Sequence, residues 1–372
     1  MVLMSGLCAA LLVGCTAAGG TTSTAGSSSG TTSAGPSGPS ASGSAPSQDA
    51  AEQVRPGESW IVYQLYSGGS FHIRLIRPDG TGDHQLLPDS VPATQGHPDW
   101  SPDGSRIVYS LDGHELWTVG VDGTDLRRLP IPCDATCEAL DAPAWSPDGR
   151  SIAFMRQDHP VGHDPFVRVQ RLAIDTGAVT TLYTPPHSVG TSWLRWAPDA
   201  RSLVLDLQTF PSIDSDVASG SAVATVDVTR PGAKARPLTP YAMFAAYPDW
   251  SPRGDRIVFS TYDLGVRDAG NFADMTPPSD LYTVRPDGTG LTQLTHNPSG
   301  SPLTRNGTAS GPLSTQPTWS PDGGSIIFVQ VDGPDWPGWQ MATIRADGSG
   351  QAPAVATGYR IGTHPRLRPV RP

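Results

Sequence analysis

Pro98-Asp99-Trp100-Ser101-Pro102-Asp103-Gly104 is followed at once by Arg106-Ile107-Val108-Tyr109-Ser110. The phrase recurs as Pro143-Ala144-Trp145-Ser146-Pro147-Asp148-Gly149, Leu194-Arg195-Trp196-Ala197-Pro198-Asp199-Ala200, Pro248-Asp249-Trp250-Ser251-Pro252-Arg253-Gly254 and Pro317-Thr318-Trp319-Ser320-Pro321-Asp322-Gly323. Each copy leads into a short apolar run, such as Ser151-Ile152-Ala153-Phe154 or Arg256-Ile257-Val258-Phe259. β-Branched and aromatic residues in runs this short are strand composition. The Ser-Pro-Asp-Gly tetrad suits a type I turn, with Pro presetting φ at the second position and Gly closing the fourth. One strand therefore ends near each Trp, and another begins after the turn.

A second signature follows each copy. Leu116-Trp117-Thr118-Val119 runs into Asp122-Gly123-Thr124-Asp125, and Leu281-Tyr282-Thr283-Val284 into Asp287-Gly288-Thr289-Gly290. Related units surround Asp79, Asp175, Asp227 and Asp347. Apolar runs flanking an Asp-Gly turn read as a hairpin. One repeat is thus four antiparallel strands. Trp-to-Trp spacings of 45, 51, 54 and 69 residues fit a propeller blade with loop insertions. Six hairpin signatures accompany only five Trp phrases, and the first unit opens directly on Trp60-Ile61-Val62-Tyr63. His364-Pro365-Arg366-Leu367 aligns with His97-Pro98-Asp99-Trp100, so the C-terminus is expected to supply the innermost strand of blade one. The expected fold is all-β: a six-bladed β-propeller of four-stranded antiparallel blades, closed by the C-terminal strand. The Trp residues are expected to lie between blades.

The Trp-Ser-Pro-Asp-Gly phrase with its following strand resembles the WD40-like, TolB-type propeller repeat, over about residues 57–372. The resemblance implies the propeller fold. Such repeats also occur in Tol-system periplasmic proteins, in propeller domains of prolyl-oligopeptidase-like enzymes, in some lyases and in lipoproteins. It therefore carries less about function.

Residues 1–14 are short and apolar and end Leu12-Val13-Gly14-Cys15, which resembles a bacterial lipobox. The segment falls short of the roughly 20 apolar residues a membrane span needs. It reads as a lipoprotein signal peptide, with Cys15 lipidated, although Met1-Val2-Leu3-Met4 lacks the usual basic start. Residues 15–56 are rich in Gly, Ser, Thr, Ala and Pro, cannot bury a core, and read as a disordered tether. The propeller spans 57–372. The expected location is outside the cytoplasm, on the outer leaflet of the cytoplasmic membrane, with the lipid as sole membrane contact. In that setting Cys133 and Cys137 are expected to form a loop disulfide. A formal net charge of −10 with no basic run argues against a nucleic-acid partner.

Both short turns of a blade must lie on one face of the disc, because alternate connections of an antiparallel sheet share a side. The long connections fall on the other face. They are Asp158–Phe166, Gln208–Ser221, Asp263–Asp280 and Val331–Gln340 within blades, and Ile131–Ala142, Thr184–Ser192 and Asn297–Gln316 between blades. Long loops on a rigid scaffold are where function concentrates. Candidate ligand-binding residues there are Trp336, Trp339, Tyr262, Arg267, Phe272 and His163. Trp336-Pro337-Gly338-Trp339 reads either as a recognition surface or as a cap folded over the blade edge.

The channel mouth is the second candidate. His97, Trp193, Tyr247 and His364 stand three residues before the Trp position, and Asp99, Arg195, Asp249 and Arg366 stand one before it. Ala142 and Ala144 are expected to leave one sector of this ring empty. The cluster reads either as buried ion pairing or as a metal or small-anion site. No catalytic set and no cofactor is expected. The function expected is a non-catalytic binding or scaffold module, a monomer that takes an envelope protein, peptide or glycan on its long-loop face. The alternative is a propeller enzyme, such as a metal-dependent lyase, lactonase or hydrolase, with its site at the channel mouth. Replacing the lipidation residue, Cys15→Ser, should move the protein from the membrane to the soluble fraction on cell fractionation. Unchanged membrane recovery would refute the anchor.

Overall fold

Six four-stranded antiparallel sheets, each able to bury both faces only against neighbours, stand around a common axis in the computed structural model. It describes residues 54–55, 57–88, 90–91, 94–211, 218–230, 232–261, 279–297, 313–331, 339–355 and 362–369. Blade one pairs Gly362–Leu367, Ile61–Ser67, Ser70–Ile76 and His84–Gln85, from the axis outward. Blade two is Gln95–Trp100, Arg106–Leu111, Glu115–Gly120 and Arg127–Arg128. Blade three is Cys137–Trp145, Ser151–Asp158, Phe166–Ala173 and Val179–Tyr183. In blade four the innermost position is split into Val189–Gly190 and Leu194–Trp196, followed by Ser202–Thr209, Gly220–Asp227 and Ala235–Pro237. Blade five is Ala245–Trp250, Ile257–Thr261, Leu281–Val284 and Thr292–Gln293. Blade six is Leu313–Trp319, Ser325–Val331, Trp339–Arg345 and Ala352–Val355. The C-terminal strand closes the ring as expected, with Ile61 opposite Leu367 and Val62 opposite Arg366.

The tight turns form as their residues dictate. Gly104 N–H donates to Ser101 O, Ser101 Oγ donates to Asp103 Oδ1, and Asp103 Oδ1 also accepts the Ser105 N–H. In the outer hairpins the Asp carboxylate accepts both the N–H and the hydroxyl of the residue two further on, as in Asp122 with Thr124 and Asp287 with Thr289. Gly123 has φ +76, and a Cβ there would lie 2.6 Å from Leu86 O of the preceding blade. Its bare backbone therefore lets the two blades approach.

The core is divided among the blade interfaces. Trp60, Val62, Trp100 and Ile107 join blades one and two, and Leu116, Leu140, Phe154 and Leu172 join two and three. Ala153, Val169, Trp196 and Leu205 join three and four. Val204, Val223, Trp250 and Phe259 join four and five, and Val258, Leu281, Trp319 and Phe328 join five and six. Ile61, Tyr63, Ile327 and Met341 join six back to one. The indole N–H groups of Trp100 and Trp196 donate to Arg366 O and Ala144 O of the preceding blade, whereas Trp250 Nε1 and Trp319 Nε1 find no protein partner.

Two expectations need correction. Ile131–Ala142, Thr184–Ser192 and Asn297–Gln316 are not wholly loops. Innermost strands begin at Cys137 and Leu313, and Val189–Gly190 pairs with Thr209 and Gln208. Pairing with the second strand simply continues past the Trp phrase. Trp145 is also only half-buried, its indole N–H donating to Gly149 O within its own turn. The Cys133–Cys137 disulfide forms, and both residues pack against the blade two–three cluster. No helix among the described residues is long and apolar enough to cross a membrane.

Truncation should separate the two kinds of Trp. Trp100→Ala removes a buried bridge between blades and should cost about 3–5 kcal/mol. Trp145→Ala should cost roughly a third of that or less, since less area leaves water. Chemical denaturation measures both, and equal losses would contradict the assignment.

Candidate functional site at the propeller axis

The innermost strands do not alternate regularly where they reach the axis. In blade two, pairing passes from Gly96–Ser110 to Asp99–Val108, so His97 and Pro98 together face the single residue Tyr109. The same two-against-one bulge occurs at Ala142-Pro143, Tyr247-Pro248, Gln316-Pro317 and His364-Pro365. At each, the residue before Pro has positive φ, from 46 to 56. Non-glycine residues adopt this region at a cost and need local support. His97 N–H donates to Gln64 Oε1 and His364 N–H to Gln316 Oε1. Blade four departs: Trp193 N–H is taken by the buried Asp206 carboxylate, which also accepts Ser192 N–H and Ser192 Oγ.

These bulges turn His97, Tyr247 and His364 inward, where they meet Trp193, whose N–H is held by Asp206. Trp193 of blade four stacks on His364 of blade one at 4.9 Å between centroids. His97 lies edge-on to both, at 5.5 Å from Trp193 and 4.7 Å from His364. Tyr247 packs edge-on to Trp193 at 5.5 Å. Trp193, Tyr247 and His364 are buried, and with Ala142, Ala246 and Met155 they plug the channel. The sector expected to be empty beside Ala142 is occupied, because the indole of blade four reaches across it. Ala144 instead belongs to the cluster between blades three and four.

Towards the tight-turn face lies a charged layer. Arg366 Nε bonds Asp99 Oδ1 at 3.2 Å, and its Nη1 contacts Asp249 Oδ1 at 3.1 Å and Thr318 Oγ1 at 2.9 Å. One guanidinium from the C-terminal strand thus ties blades one, two, five and six. Asp99 Oδ2 also accepts Trp145 N–H and Asp249 Oδ2 accepts Trp319 N–H, each from the next blade. Arg195 sits over the Trp193 ring at 4.2 Å. Burial pushes the Asp99 and Asp249 carboxyls up, Asp249 to about 7, with Arg195 pulling both the other way.

At the upper rim, His97 Nδ1 pairs with Asp141 of blade three. Burial would raise the Asp141 carboxyl, but the adjacent His97 outweighs it and holds the group below the usual carboxylate range. His364 differs: burial, with repulsion from His97 and Arg195, pushes its imidazole well below 6.5. Two histidines in contact therefore take opposite roles, one paired to a carboxylate and the other kept neutral. Among the described residues, no three His, Cys, Asp or Glu side chains are grouped as metal ligands.

On the long-loop face, His163 and Asp164 are exposed, Phe166 lies under Arg168, and His159 contacts Glu138 at 2.8 Å. Tyr262, Arg267, Phe272, Trp336 and Cys15 lie outside the described residues, as does the side chain of Trp339. The structure therefore brings together all eight channel residues and does not test the loop set. Gln64, Gln316, Asp141, Asp206 and Thr318 were not singled out from sequence. Gln64, Asp141 and Asp206 lie outside the two positions compared between repeats, whereas Gln316 and Thr318 stand at them, three and one before Trp319.

His364 gives a pH test with a definite sign. Its folded pKa is lowered, so below about 6.5 the unfolded chain takes up the proton first and stability falls. The loss should approach about 1.4 kcal/mol per pH unit for one proton. His364→Phe should flatten this acid limb between pH 7 and 5 in denaturation titrations. An unaltered slope would show that His364 is not its source.

No protein-family model matches the chain. The Tol-Pal system protein TolB of Zymomonas mobilis subsp. mobilis is 36% identical over 74 residues, which is 18% of this chain and 16% of that protein. The crystal structure of TolB from Acinetobacter baumannii matches with a TM-score of 0.57 at 16% identity, covering 83% of this chain and 66% of that one. The putative TolB from Agrobacterium tumefaciens matches with a TM-score of 0.54 at 17% identity, covering 83% of this chain and 97% of that one. At such identities the likeness is one of fold: the chain has the TolB-like, six-bladed β-propeller architecture.

Proposed function

We propose that this protein is a lipid-anchored, extracytoplasmic propeller that acts as a non-catalytic binding or scaffold module. The observation that carries the reading is the state of the axis. The residues best suited to chemistry there are committed to one another, in an aromatic plug above a bridged ion layer. That favours a rigid platform over an open channel-mouth reaction site. The likeness to TolB, named as a Tol-Pal system protein in the relative, supports an envelope protein or peptide as partner and a periplasm-facing location. The lipobox-like Leu12-Val13-Gly14-Cys15 and the Gly/Ser/Thr/Pro-rich tether support anchoring.

The ligand-binding surface in this reading is the long-loop face, with Trp336, Trp339, Tyr262, Arg267, Phe272 and His163. Large aromatics in a Pro/Gly loop make good anchors because they bury area with little rotamer loss. The Trp336→Ala, Trp339→Ala double variant should lose most recovery of its partners in cross-linked envelope extracts while keeping the wild-type melting temperature. Undiminished recovery would overturn the loop assignment.

A further inference from the structure

One sector of the tight-turn face carries more cations than its carboxylates match. The short turns of blade four and the outermost strand they lead into hold Arg201, Arg230, Lys234 and Arg236 with Asp199 and Asp227. Those of blade five hold Arg253, Arg256 and Arg285 with Asp255 and Asp287. Seven cations thus stand against four carboxylates, a surplus of three positive charges in a chain whose formal net charge is −10. The flanking blades show no such surplus: the same turns hold Asp148, Arg150 and Asp175 in blade three, and Asp322, Arg345 and Asp347 in blade six. Two departures from the repeat contribute. Arg253 replaces the Asp of the other four tetrads, and Gly290 stands where blade two has Asp125.

Each of the four carboxylates is engaged by its own turn. Asp199 accepts the Arg201 N–H, Asp255 the Ser251 hydroxyl, and Asp227 and Asp287 accept both donors of Thr229 and Thr289. Arg230 approaches Asp227 only to 4.0 Å. Six of the seven cations are exposed, and Arg256 is half-buried. Arg236 Nη2 donates to Asp287 O at 2.6 Å, so the turns of the two blades form one continuous surface.

The chain enters the propeller on the same face, at the opposite rim. Arg368 Nη1 donates to Arg55 O and its Nε to Gly104 O in the tight turn of blade two, while Arg77 of blade one lies 3.9 Å from Glu58. Blades one and two stand across the ring from blades four and five. A chain anchored through Cys15 is therefore joined to one rim of this face and carries the cationic sector at the other.

We propose that the blade four–five sector of the tight-turn face docks on anionic phospholipid headgroups. The choice of occupant rests on the anchored reading above and on charge complementarity. Guanidinium groups suit phosphate because they offer it forked donors. The overall negative charge does not oppose this contact, since a Debye length of about 8 Å at physiological ionic strength lets the headgroups feel chiefly the nearest face. Attachment at both rims lays the disc flat and turns the long-loop face away from the membrane.

The test uses the full chain made unlipidated by Cys15→Ala, so that vesicle binding is read independently of the anchor, which fractionation of Cys15→Ser tests by itself. The protein should sediment with vesicles of equimolar phosphatidylcholine and phosphatidylglycerol, not with phosphatidylcholine alone, and raised salt should release it. The Arg230→Ser, Lys234→Ser, Arg253→Ser triple variant should bind on the order of a hundredfold more weakly, about fivefold for each cation removed. These side chains are exposed, so its melting temperature should stay that of the parent. An Arg127→Ser, Arg150→Ser, Arg345→Ser triple removes the same charge from other blades of the face and should bind more tightly than the first triple. Lack of binding to the anionic vesicles, equal binding to neutral ones, or equal weakening by the two triples would each overturn the proposal.

Discussion

A four-stranded blade whose strands are apolar on both faces has only one way to hide them: against two other blades. Trp60, Val62, Trp100 and Ile107 illustrate the consequence, since their cluster belongs to neither blade one nor blade two alone. The requirement repeats at every interface and returns from blade six to blade one through Ile61, Tyr63, Ile327 and Met341. Ring closure is therefore a condition of burial. The Gly362–Leu367 strand meets it by occupying the innermost place of blade one.

Closure also delivers the axis. The strand that completes the first sheet brings His364 into the aromatic plug and Arg366 into the ion layer. Isolated buried charges are costly, and removing one partner of such a pair leaves the other uncompensated. Here one guanidinium serves two carboxylates from blades two and five, while those carboxylates also accept the backbone N–H groups of Trp145 and Trp319 in the following blades. The axis works as a keystone, which explains why residues with catalytic potential are occupied structurally. The function proposed above accordingly sits on the outer surfaces, where the repeats differ from one another.

The repeat made much of this legible in advance. Turn residues act locally, so Ser101, Asp103 and Gly104 predict their own hydrogen bonds without knowledge of the rest of the chain. The alignment of His364-Pro365 with His97-Pro98 likewise pointed to closure, and both residues occupy equivalent bulges. The early start of Cys137–Trp145 was missed because sequence shows where a turn must be but not how far two strands stay paired beyond it. Trp145 was missed because the phrase places a Trp at the end of the strand without saying which partner its ring takes, here Gly149 O of its own turn.

What the sequence determined by itself was the blade, the number of blades, the closing strand and the loop disulfide, because each rests on local turn chemistry, spacing or counting. Only the tertiary structure decided how the axial residues engage. Trp193 and His364 are 171 positions apart yet stack face to face, and Arg366 selects Asp99 and Asp249 rather than remaining in an open channel. Those partnerships depend on the distance across the ring and, for His364, on the bulge that gives it a positive φ. A one-dimensional pattern can place each residue at the axis but cannot say which side chain is long enough to reach another.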